Sequence, residues 1–243
     1  MKTYNILLTG DHHVGSAYGM MPPDYPAEDG AVIGQNPLQR HLWNCWEDAI
    51  VKASRFKIAR VVHMGDCIDG QQRRQGASER SLQTVSDQQN AATFILRSLM
   101  NRLDKSSNTL TPLSAIWGTP YHDGENGENI QAIFARIENC SHYNTATRFA
   151  HQNLTLDFDG VLCHFSHGIG GGGGFTLAGP LETELINSLR NPIEYKGVLV
   201  SPRLIAFAHR HIYAHVEVEN AQQIRHGLSV PCFEDQTGLM LPG

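Results

Sequence analysis

The chain has no paired-cysteine pattern. Its five cysteines, Cys45, Cys67, Cys140, Cys163 and Cys232, are odd in number and scattered, with no CxxC pair. That excludes a zinc ribbon or a dithiol redox motif and points to a reducing, cytoplasmic compartment. A long hydrophobic run is missing too. The apolar stretch near the start meets Asp11 too early for a signal-peptide core, and no stretch approaches the length of a membrane span. There is no basic excess: the formal net charge of −5 argues against a broad footprint on duplex nucleic acid, where Lys and Arg supply most of the affinity. Bound cations would supply positive charge locally where a phosphate sits, so a nuclease stays open. The glycine run Gly170 to Gly174 is followed by no GK[ST] and is therefore not a P-loop. What remains is ordinary for a soluble globular protein, 41% hydrophobic and 18% charged, and 243 residues suit one α/β domain spanning 1–243.

Ile6-Leu7-Leu8-Thr9 reads as a buried strand ending at Gly10-Asp11. Residues 16 to 38, rich in Pro and Gly, read as a long surface loop. Apolar positions between Leu38 and Phe56 recur at helical spacing, and a second strand, residues 60 to 64, ends at Gly65-Asp66. Helical spacing returns from Asp87 to Asp104, before a third strand over 113 to 117 that ends at Gly118. This strand, helix, strand order predicts a partly parallel sheet. A helix is expected over 129 to 137, a hairpin over 154 to 165 turning at Asp159-Gly160, a helix near 181 to 189 and a strand over 204 to 207. Alternating Val216 and Val218 follow, so the second half is expected to be more antiparallel than the first.

Metal-ligand residue types gather where these strands end, the place at which open α/β sheets present a binding crevice. The segments are Asp11-His12-His13-Val14-Gly15, Gly65-Asp66-Cys67-Ile68-Asp69-Gly70, Gly118-Thr119-Pro120-Tyr121-His122-Asp123, His164-Phe165-Ser166-His167-Gly168 and His209-Arg210-His211. In extended chain, residues two apart project to the same side, so Asp11 with His13 and His209 with His211 can each aim two ligands at one place. Single histidines are ordinarily hydrogen-bonded structural residues, and His41, His63, His142, His151, His215 and His226 are read that way. His12 and His164 are also read as structural, and Cys67 as a small buried residue.

The order of these segments resembles the calcineurin-like metallophosphoesterase family, with its DxH, GDxxD, GNH, histidine-glycine and GHxH blocks. Asp11-x-His13, Gly65-Asp66 through Asp69, His167-Gly168 and His209-x-His211 match, with Ala208 where the family usually has glycine. The third block, Gly118 to Asp123, keeps the glycine and a histidine but lacks the asparagine. The resemblance implies a single-domain sandwich of mixed β-sheets flanked by helices, and a site for two divalent transition metals, Mn, Fe or Zn, with Mn favoured. It further implies that Asp11, His13 and His211 hold one ion and His167 and His209 the other, with Asp66 bridging. His122 would then be the catalytic group beside the phosphate, with Asp69 orienting a ligand. For the missing asparagine, Thr119, His122 itself or water can substitute. Arg73 and Arg74 are candidate substrate-binding cations, and the glycine run suits either a mobile flap or a surface loop.

An anionic phosphoester repels an anionic nucleophile, and a metal pair about 3.5–4 Å apart relieves that repulsion. The expected reaction is hydrolysis of a phosphoric ester, preferably a phosphodiester in nucleic acid or a nucleotide. The alternatives are a phosphomonoesterase or protein phosphatase, and a degenerate member whose metal-site surface binds a protein. No membrane association is expected.

Overall fold

In the computed structural model, residues 2–71, 79–138, 140, 149–168, 178–211, 213–220 and 223–231 are described. Strand β1 (Asn5–Thr9) precedes a short hairpin of β2 (Tyr25–Pro26) and β3 (Val32–Ile33). Then come α1 (Pro37–Ala53), β4 (Ile58–His63), α2 (Val85–Ser107) and β5 (Leu113–Ile116). The single-turn α3 (Pro120–Asp123), α4 (Glu128–Phe134) and β6 (Ala150–His151) complete the first half. The second half holds β7 (Asn153–Phe158), β8 (Val161–Ser166), α5 (Ala178–Arg190), β9 (Ile193–Tyr195) and β10 (Val198–Val200). It ends with β11 (Leu204–Phe207), β12 (Ala214–Asn220) and β13 (Gln223–Ser229).

Local chemistry starts the two long helices. Asn36 and Gln39 form a reciprocal capping box with Pro37 in the first turn of α1, and the Thr84 side chain accepts from Asp87 N at the start of α2. Asp159 and Gly160 both have positive φ, 52° and 87°, the conformation a two-residue hairpin needs between β7 and β8.

Two sheets result. One is parallel throughout, in the order β1-β4-β5-β6. The other, β12-β13-β11-β8-β7, is mixed, because β11 lies parallel to both β8 and β13 while β7–β8 and β12–β13 are antiparallel pairs. Val62 and Ile116 from the first sheet, with Met64 directly after β4, meet Leu154, Phe165 and Ala206 from the second in one buried cluster. Trp46, Ile50, Ile95, Leu99 and Phe134 cover the other face of the first sheet, and Leu181 and Leu185 of α5 cover Ile205 and Phe207 of the second. The architecture is thus an α/β sandwich, mixed sheets with helices outside, as expected.

Two expectations change. Residues 16 to 38 are not simply a surface loop: Met20 and Met21 are fully buried, and Tyr25 donates from its hydroxyl to the Asp87 carbonyl at 3.1 Å. Apolar side chains set singly among prolines bury without leaving a period to read. The short elements α3, β6, β9 and β10 also went unread, being too brief to carry a periodic signal. Among the described residues no helix is long and apolar enough to cross a membrane, and the four described cysteines are free thiols.

Candidate metal centre

Five parallel-running strand ends carry the candidate residues. Thr9 lies beside His63, and Phe207 beside Ser166, so the loops after β1 and β4, and those after β8 and β11, leave their sheets level with each other. Backbone bonds tie the loops together: Asp11 N to the Gly65 carbonyl (2.9 Å), His13 N to that of Asp66 (3.1 Å) and Ala208 N to that of His167 (3.1 Å). The two sheets are joined where His209 N donates to Asp11 Oδ2 at 3.0 Å.

The backbone here is left-handed. Asp11, His13, Asp66, His209 and His211 have φ of 49°, 43°, 48°, 69° and 56°, a region that costs an ordinary residue about 1–3 kcal/mol and persists only where surroundings enforce it. The extended geometry expected for Asp11-x-His13 and His209-x-His211 is therefore corrected. The consequence is a division of labour, since His209 and His211 do not share one point.

Donor atoms of Asp11, His13 and His211 lie within 4.8 Å of one another, as do those of Asp66, His167 and His209. Asp66 Oδ2 is 2.9 Å from His167 Nε2 and 4.0 Å from both His13 Nε2 and His209 Nδ1, so it touches both groups. Asp11 Oδ1 is 3.8 Å from His211 Nε2 and 3.8 Å from His167 Nδ1. This buried carboxylate oxygen accepts no hydrogen bond among the described residues, an arrangement that is costly unless a cation completes it. His167 Nδ1 donates to the Met64 carbonyl at 2.7 Å, which directs Nε2 inward in the way a ligating imidazole is usually held. The residues therefore fit a pair of divalent ions, with carboxylate and imidazole donors that suit Mn, Fe, Co or Zn.

No protein-family model matches the chain, and no curated protein matches it. Solved structures similar to it include Vps29 from Entamoeba histolytica, at 10% identity and a TM-score of 0.38 over 97% of this chain and 78% of that one. Vacuolar Protein Sorting 29 from Cryptosporidium parvum gives 10% identity and 0.39 over 93% and 73%. Likenesses of that strength decide nothing about activity, and the site has to be read from its own geometry.

The third block is built around Asp66. Thr119 donates to Asp66 Oδ1 from both its backbone N (2.7 Å) and its hydroxyl (3.0 Å), while its carbonyl accepts from His122 N and Asp123 N. Pro120 leaves Thr119 extended, at φ −74° and ψ 147°. A Cβ on Gly118 would lie 2.1 Å from Asp66 Oδ1, so only glycine lets this carboxylate and the β5 loop approach so closely. His122 sits on α3, its ring edge-on to His13 with centroids 4.3 Å apart. Its Nδ1 donates to the Asp69 carbonyl at 2.8 Å, leaving Nε2 to exchange protons.

Asp123 carries a role that the sequence reading missed. Fully buried, it accepts from Asp66 N (2.9 Å) and Gly118 N (2.7 Å) at Oδ2 and from Cys67 N (3.2 Å) at Oδ1. It holds the β4 and β5 loops together behind the site. The signal available was its place directly after His122, but an aspartate at the end of a loop block looks the same whether it caps, binds or faces water.

Burial dominates the electrostatics. It pushes the Asp11 carboxyl up to about 7, against the pull of His167, and pushes Asp123 up to about 7, helped by the charge of Asp66. Burial opposes charge on Asp66 as well, but the neighbouring imidazoles of His167 and His209 outweigh it and hold that carboxyl well below its usual range. For His167 burial works downward and the Asp66 carboxylate upward, the net being about 9.

Other candidates fall elsewhere. His12 is buried beside Trp46 and His63, with Nε2 2.7 Å from the Thr9 hydroxyl, and burial pushes it down to about 3. His164 Nδ1 pairs with the Thr155 hydroxyl at 2.9 Å. Arg73, Arg74 and the Gly170 to Gly174 run lie outside the described residues.

Proposed function

We propose that the chain, acting as one domain over 1–243, is a binuclear metal-dependent hydrolase of phosphoric esters, with phosphodiesters of nucleic acid or nucleotides as its substrate class. The observation that carries this reading is the pair of three-residue donor groups meeting at the Asp66 carboxylate. Two divalent ions held there would neutralise the phosphoryl oxygens and make hydroxide available near neutral pH. Asp11, His13 and His211 would hold one ion, His167 and His209 the other, and Asp66 would touch both. Thr119 steadies Asp66 through Oδ1, and its hydroxyl, which donates there, keeps lone pairs to offer an ion in place of the asparagine. His122 Nε2 protonates the leaving oxygen. Tyr121, exposed and edge-on to His122, offers a face for base stacking, which favours a nucleotide substrate. A monoesterase, or protein binding without turnover, is the competing reading.

Reconstitution with manganese followed by elemental analysis tests the centre. About two ions per chain are expected in the wild type, and Asp66→Ala should lose both together with turnover. Less than about half an ion in the wild type, without metal-dependent hydrolysis of mono- or diesters, overturns the proposal.

Metal uptake should also release protons, because ligands bind deprotonated. His167, held up at about 9, carries a proton at pH 7, and Asp11, at about 7, carries part of one. Both protons oppose metal, so affinity should rise with pH from 7 towards 9 and level off above. Calorimetry in two buffers of different ionisation enthalpy reads the release. Equal heats in both would contradict it.

A further inference from the structure

A second cluster of ligand-type side chains lies on the hairpin of β12 and β13, apart from the proposed centre. His215 and Glu217 are two residues apart on β12 and project to the same face, while Ala214, Val216 and Val218 pack under α5 on the other. His226 on β13 stands directly opposite Glu217, so three side chains meet by register alone. His215 Nε2 is 3.2 Å from His226 Nδ1. Glu217 Oε1 is 3.7 Å from the former and 3.3 Å from the latter.

We propose that His215, Glu217 and His226 form a surface site for a zinc-class dication. An ion with bonds of about 2.0–2.1 Å in tetrahedral geometry holds neighbouring donors about 3.3 Å apart, and the three observed spacings bracket that value. They describe one face of such a tetrahedron. All three side chains are partly exposed, at 37%, 54% and 41%, so water is available for the fourth corner. Two imidazoles and one carboxylate select Zn, Cu or Ni over Mg or Ca. The histidines' structural reading from sequence thus gives way to a binding role, which no single residue of the trio signals.

The site is independent of the centre at Asp66, and a per-residue measurement keeps the two apart. The full chain is labelled with diethylpyrocarbonate, with and without zinc, and modification is read by mass spectrometry at each histidine. Zinc should protect both His215 and His226, whereas magnesium should protect neither. Glu217→Gln, an exposed and isosteric change, should raise the zinc concentration needed for protection by at least about tenfold, since removing even an outer-shell partner costs 10- to 100-fold. In parallel, His226→Ala should bind one zinc fewer per chain with its manganese-dependent hydrolysis unchanged. Labelling unaffected by zinc, protection of only one histidine, or an unchanged midpoint in Glu217→Gln would each leave a hydrogen-bonded trio and overturn the site.

Discussion

Asp123→Ala is expected to destabilise the metal-free chain by about 3 to 9 kcal/mol, because it strips the acceptor from three buried N–H groups, those of Asp66, Cys67 and Gly118, at about 1–3 kcal/mol each. Some of that cost is recovered if water enters, which sets the lower bound. The loss falls on the loops carrying Asp66, so metal content should fall with stability. Asp123→Asn should be milder. Its amide oxygen can take the two donors that now share Oδ2, while its NH₂ group faces Cys67 N–H and cannot accept. Urea unfolding gives the measurement, as a lowered midpoint at unchanged slope. A loss below about 1 kcal/mol for the alanine variant would show that these three bonds do not hold the site together.

His122→Ala should leave metal content normal while kcat falls by about 10² to 10⁴, the range of a lost acid–base group. Donation from Nδ1 to the Asp69 carbonyl means that Nε2 carries a proton only in the imidazolium. Burial lowers that pKa below its ordinary value, partly offset by Asp66 and the Asp69 bond. An acid works in its protonated form. The ratio of wild-type to His122→Ala rate should therefore be largest at low pH and fall as pH rises through the lowered pKa. Loss of an ion in parallel with activity would make His122 a ligand, and a pH-independent ratio would remove its role as acid.

The sequence alone carried the elements with a clear apolar pattern. Strands β1, β4 and β5 were legible as short apolar runs that stop at Gly-Asp or at glycine, and helices α1 and α2 because apolar positions recur at helical spacing. The candidate ligands were legible as residue types at strand ends, and the resemblance grouped them. Their backbone was not. Residues two apart suggested extended chain, whereas five of the six proposed ligands are left-handed, a state imposed by neighbouring loops rather than by local preference. Three further features exist only between segments that the fold pairs. Asp123 is defined by the N–H groups that it receives across some 50 residues, and Thr119 by the carboxylate it steadies. The His215, Glu217 and His226 trio is defined by a pairing register between two strands. Hydrogen bonds and donor spacings of that kind depend on which loops and strands the folded core brings together, and no local pattern in the chain records them.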